Sequence, residues 1–194
     1  MKKSQIQQFL NFVKLDSNIK QEEFSKLLKL FEFRTYKRKD HIIDPTEEKS
    51  SIFFILSGLI RYYYLAEDGK EWNKAFIAED MMCTSFSKDF LGLMSPYGIQ
   101  AIEKTTILIA NYSKFESLYE KNPSIERLGR KLIERILISK MKRERSFLQN
   151  SAKMRYTDFA KENPRLFQRI PQYHLASYLG ITEASLSRIS NELN

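Results

Sequence analysis

The clearest chemical pattern in this chain is Gln172–Asn194, QYHLASYLGITEASLSRISNELN, and the chemistry is recognition. Apolar residues fall at Leu175, Leu179, Ile181, Leu186 and Ile189. Ala176 is small where a second helix would cross the first. Gly180 stands at the turn between them, where φ > 0 is easiest for a residue without Cβ. Thr182 is placed to cap the second helix. These offsets together give the spacing of a DNA-binding helix-turn-helix. An ordinary amphipathic helical hairpin is the plainer alternative for the apolar set alone.

Charge points to the same end. Residues 1–120 hold 17 basic and 17 acidic side chains, whereas residues 121–194 hold 15 basic and 7 acidic, so the whole net charge of +8 lies in the second part. A neutral half joined to a basic half reads as a sensing or packing module attached to one that binds a polyanion. A solvated basic helix face accounts for the run Lys140–Arg145 but not for an excess that continues to Arg188.

Other chemistries are poorly supplied. The single cysteine, Cys83, excludes an internal disulfide and a four-cysteine zinc or iron–sulfur site. Two histidines, His41 and His174, are too few for a multi-histidine metal site. A small β-barrel enzyme of the cupin type needs two or three histidines and a carboxylate on adjacent strands, and only His41 lies in the β region. No metal, no cofactor and no enzymatic activity are expected. The two N-terminal lysines precede no apolar run, and no stretch approaches ~18 apolar residues. The expected location is cytoplasmic, with no membrane partner.

These patterns predict an α+β chain. Residues 4–30 carry the helical spacing, through Ile6, Phe9, Leu10, Val13, Phe24, Leu27 and Leu28. The period then changes to two. Phe31–Lys37, Ser51–Ser57, Leu59–Leu65, Lys70–Ile77, Ile99–Glu103 and Thr105–Ala110 read as strands, with Asp68-Gly69 as a hairpin turn. Several short strands with turn signals between them predict a β-sandwich or roll. Ser113 with Glu116 has the form of a capping box. Asn122-Pro123 opens a long helix over 123–149, with Asn122 as its cap. Its apolar residues form two neighbouring stripes, Ile125, Leu128, Leu132 and Ile136 beside Ile133, Leu137, Met141 and Leu148. One surface for these is the β unit and the other is a sister helix in a homodimer, with Ile125, Leu128, Leu132, Ile133, Ile136, Leu137 and Met141 as the expected dimer-interface residues; a single wide core-facing stripe is the alternative. Ser151 reads as the cap of a further helix, Ala152–Glu162. The expected domains are 1–150, a β-roll sensor that includes helix 123–149, and 151–194, the helix-turn-helix unit.

In this order the pieces resemble the Crp/Fnr transcription regulators. The resemblance rests most on Ser151–Ile189, SAKMRYTDFAKENPRLFQRIPQYHLASYLGITEASLSRI, and on IFFILSGLIRYYYLAEDGKEW and YSKFESLYEKNPSI. It implies a cyclic-nucleotide-binding-like β-roll (a jelly roll), a dimerisation helix and a C-terminal helix-turn-helix. It implies double-stranded DNA, a second copy of the chain and RNA polymerase as partners. The family's Gly-Glu pair for a ribose falls here on Thr84-Ser85. Its Arg-Ser pair for a cyclic phosphate falls on Ser95-Pro96, and its adenine-contacting pair on Lys140-Met141. A buried phosphate needs a positive fork, yet no arginine occurs between Arg61 and Arg127. The effector pocket is thus expected to be degenerate and to bind no cyclic nucleotide tightly; another ligand, or filling by Phe86, Phe90 and Met94, are the alternatives for it. On the recognition helix, the family's base-reading positions fall on Glu183, Ala184 and Arg188. Arg188 can present two donors to guanine, and Glu183 can accept from a cytosine amino group. Thr182, Ser185 and Ser187 suit phosphate or base contact. The competing reading is a ligand-binding or interaction module that has lost DNA binding.

Overall fold

The computed structural model describes residues 2–44, 50–86 and 97–193. Two helices open the chain, α1 (Lys3–Asp16) and α2 (Gln21–Leu30). The helical periodicity runs through both, but the helix breaks between them. Asp16, Ser17 and Asn18 are weak helix formers, and Ser17 takes an extended backbone while its hydroxyl bonds Val13 O at 3.0 Å.

Eight strands follow: β1 (Glu32–Tyr36), β2 (His41–Ile43), β3 (Ser51–Ser57), β4 (Leu59–Leu65), β5 (Glu71–Ala78), β6 (Met82–Ser85), β7 (Tyr97–Ala101) and β8 (Thr105–Asn111). They form two four-stranded antiparallel sheets, ordered β1-β8-β3-β6 and β2-β7-β4-β5. The short β2 and β6 lie below the length at which alternation is visible in sequence. Gly58, at φ 100°, makes the tight turn from β3 to β4, where a Cβ would stand 2.6 Å from Thr105 Cα.

The apolar run of β3 is explained by burial on both faces. Phe53 and Ile55 point between the sheets, with Ile60, Tyr62, Ile99, Ile107 and Ile109. Ile52, Phe54 and Leu56 point outward, under α1, α2 and the helices that follow β8. Those are α3 (Tyr112–Glu116) and α4 (Pro123–Gln149). The cap of α3 is Asn111, whose side chain accepts from Lys114 N, so the helix starts one residue before the capping box read at Ser113. Asn122 precedes α4 but does not cap it with its side chain; its Nδ2 donates back to Leu118 O at 2.7 Å.

One correction concerns α4. Ile125, Leu128 and Leu132 were expected at a dimer seam, yet they are 0%, 1% and 3% exposed in the single chain. They fill the core against Phe9, Phe24 and Phe54, and Ile136 packs at its edge. Ile133, Leu137 and Met141 face solvent, at 39%, 56% and 60%. The two stripes are real, and only the second is open to another chain.

After Asn150 leaves the helical conformation come α5 (Ala152–Glu162), α6 (Pro164–Phe167), α7 (Gln172–Leu179) and α8 (Glu183–Leu193). Ser151 caps α5, accepting from Met154 N at 3.2 Å.

Candidate nucleic-acid interface

The turn between α7 and α8 is built by Gly180 and Thr182. Gly180 is left-handed, at φ 68°. Its N–H bonds Ser177 O at 3.2 Å, and the Ile181 N–H bonds Ala176 O at 3.1 Å, so the last carbonyls of α7 are satisfied in a Schellman motif. A side chain at Gly180 would also meet the Phe147 ring, 2.7 Å from its Cβ. Thr182 Oγ1 accepts from Ser185 N at 3.1 Å, which caps α8 as its position predicts. Leu186 is the buried anchor of α8, packed with Leu175, Ala176 and Leu179.

Burying Leu186 turns the other face outward. Thr182, Glu183, Ala184, Ser187 and Arg188 are exposed on or beside one side of α8. Ser185 is half-buried and its hydroxyl lies 2.9 Å from Thr182 Oγ1, so the two form a pair at the helix start. Arg188 NH2 reaches only a long 3.5 Å to Ser185 Oγ, and no carboxylate holds it among the described residues. An exposed guanidinium that no carboxylate holds among the described residues offers donors to an anionic or guanine-rich partner.

Two basic side chains of α5 differ in what they are free to do. Lys153 forms an exposed pair with Glu192, 2.9 Å. Arg155 is a structural tie: it donates to Asn150 O at 2.8 Å and Leu179 O at 3.1 Å, and its guanidinium lies 4.6 Å from the Phe147 ring centre. It clamps the end of α4 to the end of α7.

The helix-turn-helix unit is docked on the outer face of β4 and β5. Phe76 meets Tyr178 at 5.2 Å and Phe159 at 6.4 Å between ring centres. Arg169 forks to Glu79 at 2.9 Å and to Glu103 at 2.6 Å, and these carboxylates keep it more firmly protonated than an ordinary arginine. The Asn73 backbone N–H donates to Ser177 Oγ at 2.9 Å, and Asn73 Nδ2 donates to His174 O at 3.1 Å. The same Nδ2 lies 3.2 Å from His174 Nδ1, a donation that requires an unprotonated nitrogen. Burial and then the charges of Arg61 and Arg38 push the His174 pKa down to about 4, so the ring is neutral at pH 7. None of Asn73, Glu79, Glu103 or Arg169 carries a local sequence signal, because their partners lie far away along the chain.

The effector-pocket positions are only partly described. Thr84 and Ser85 are buried on β6. Ser95 and Pro96 lie outside the described residues, as do Phe90 and Met94. Tyrosines fill the space beside Thr84: Tyr62 and Tyr97 stand 5.7 Å apart, and Tyr62 Oη donates to Thr84 O at 3.0 Å. Phe86 packs instead on Tyr112, ring centres 4.9 Å apart. Lys140 and Met141 are exposed on α4. Arg61, the one buried arginine among the described residues, points away from the sheet interior and donates to Gln100, Asn73 and Glu71. Cys83 is buried between the sheets, its thiol pushed up to about 12, and is no nucleophile. His41 has Tyr63 Oη and Gln100 Nε2 each 3.2 Å from a ring nitrogen. Among the described residues no group of three metal-ligating side chains occurs and no helix is long and apolar enough to cross a membrane.

No family model and no curated protein matches the sequence. Solved structures do match. A mutant of CooA from Carboxydothermus hydrogenoformans aligns with a TM-score of 0.71 at 22% identity, covering 90% of this chain and 80% of that one. FixK2 from Bradyrhizobium japonicum aligns with a TM-score of 0.72 at 19% identity, covering 84% of each chain. A structure from Eubacterium rectale, described as a transcriptional regulator of the crp/fnr family, gives 0.72 at 16% identity over 90% of this chain and 83% of that one. The fold of this chain is that of the Crp/Fnr regulators.

Proposed function

We propose that this chain is a dimeric DNA-binding transcription regulator of the Crp/Fnr type whose effector pocket does not take a cyclic nucleotide. The observation that carries the reading is the capped helix-turn-helix, which leaves Glu183, Ala184, Ser187 and Arg188 exposed on one helix face in the basic half of the chain. In this reading α8 enters the major groove, Arg188 reads a guanine, Glu183 a cytosine, and Ala184 makes an apolar contact. Thr182 and Ser185, paired at the helix start, meet phosphate, and Ser187 contacts phosphate or a base edge. Residues 1–150 form the sensor and 151–194 the reader. A second copy docks along Ile133, Leu137 and Met141, and two-fold symmetry then sets half-sites ~34 Å apart. The protein is not an enzyme, works in the cytoplasm and has RNA polymerase as a further partner.

The test is selection from random duplexes with wild type and Arg188→Ala side by side. A guanine-reading arginine contributes ~1–3 kcal/mol of discrimination. Wild type should enrich a palindrome, and the variant should lose preference at one base pair in each half-site. A wild type that enriches nothing refutes the reading. A variant that enriches the same palindrome equally refutes the role of Arg188.

The effector expectation has its own check. Tyr62 and Tyr97 occupy space between the sheets, and the buried arginine points away from it. Calorimetry with cyclic AMP and cyclic GMP should show no micromolar binding, that is, nothing near −8 kcal/mol. A micromolar constant for either would overturn this part.

A further inference from the structure

Between the β-roll and α7 lies a cleft of about 270 Å³ that the DNA-binding reading does not use. Arg38 and Lys39 line it from the β1–β2 turn, Arg61 and Gln100 from the sheet, and Tyr173 and His174 from α7. Its charge is one-sided. The carboxylate in the lining, Glu71, is already bonded to Arg61. Arg38 and Lys39 are exposed, and neither side chain pairs with a carboxylate among the described residues. The floor is preorganised: Arg61 is held by Gln100 Oε1 at 2.7 Å and Asn73 Oδ1 at 3.1 Å. The rim is fixed as well. Lys39 sits at φ 74°, where an L side chain is uncommon, and its N–H bonds Ala101 O at 2.8 Å while Gln100 Nε2 donates to its carbonyl at 3.1 Å.

We propose that this cleft is a binding site for a small phosphate-bearing molecule, held by Arg38 and Lys39 against the Arg61 floor and the edge of α7. Two exposed cations, Arg38 and Lys39, in a lining whose carboxylate is already paired suit phosphate oxygens. The volume sits at the low end for ligand pockets, which selects a compact phosphate or diphosphate over a large cofactor. His174 contributes as a neutral ring. With Nδ1 turned to Asn73, its proton sits on Nε2 and leaves that nitrogen a donor. Because one wall belongs to the β-roll and the other to the helix-turn-helix, a bound ligand bridges the two and favours the arrangement in which both walls are present.

The test uses the full chain, with sodium pyrophosphate as the probe in calorimetry and thermal melting. Wild type should bind pyrophosphate and melt higher in its presence. Arg38→Gln with Lys39→Asn should weaken binding at least tenfold and abolish the melting shift; asparagine tolerates the left-handed backbone at position 39. Lys114→Gln with Lys121→Gln, exposed lysines remote from the cleft, should bind as wild type does. No binding by wild type overturns the site. So does equal binding by the cleft variant, or an equal loss in the remote one. Neither measurement uses DNA, so failure here leaves the duplex selection standing, and failure there leaves this site standing.

Discussion

Arg155 and Lys153 stand two residues apart on one helix and do different work. Composition makes them equivalent: both belong to the basic excess that should meet phosphate. Geometry separates them, because Arg155 spends its donors on Asn150 O and Leu179 O, whereas Lys153 is exposed and loosely paired with Glu192. Surface pairs of that kind contribute little to stability. Lys153→Ala should therefore leave the melting temperature nearly unchanged and lower the salt slope of duplex binding by about one unit. Arg155→Ala should instead destabilise the fold by about 2–3 kcal/mol, because it removes charged donors from two carbonyls. Denaturant titration beside a salt series of duplex binding separates the two. Equal loss of stability in both variants would refute this division.

At the scale of elements, what was legible in the sequence was whatever a single segment decides for itself. Gly180 and Thr182 announce a turn and a cap because backbone conformation and capping are local, and both hold in the structure. The strand over Ser51–Ser57 was legible because a short apolar run has few other uses. Capping beyond that was ambiguous: Asn111 and Ser113 are both competent caps, and position relative to β8 decides between them. The faces of α4 were legible as two stripes but not as two destinations, since periodicity carries no label for what covers each stripe. Burial supplies it. Leu137→Asp with Met141→Asp places charges on exposed positions, so the chain should stay folded and, if a sister helix docks there, sediment as a monomer. Leu132→Asp should unfold the chain, because it buries an unpaired charge at a cost on the order of 3–5 kcal/mol. A folded dimer from the first pair would refute the seam.

At the scale of the whole molecule, the helix-turn-helix is fixed to the β-roll by contacts that a sequence does not display. Phe76, Tyr178 and Phe159 supply the apolar part, Arg169 with Glu79 and Glu103 the ionic part, and Asn73 with His174 and Ser177 the polar part. The polar part has a pH dependence whose sign is determined. The His174 ring is depressed from its ordinary 6.5 to about 4 in the fold. Between those values the unfolded chain takes up a proton that the folded chain refuses, so this residue's contribution to stability is complete above pH 6.5 and is lost as pH falls towards 4. One proton sets the steepest slope at about 1.4 kcal/mol per pH unit. Protonation would also turn Nδ1 from acceptor to donor against Asn73 Nδ2, with Arg61 close by, so the dock itself is the part that loosens. Stability measured by denaturant between pH 4 and 7 should fall with acid in wild type, and His174→Gln should show a shallower fall over the same window. Glutamine offers Asn73 an acceptor without a titrating group, so the comparison rests on slope and not on absolute stability. Parallel slopes in the two proteins would mean that other groups carry the acid dependence and that His174 does not.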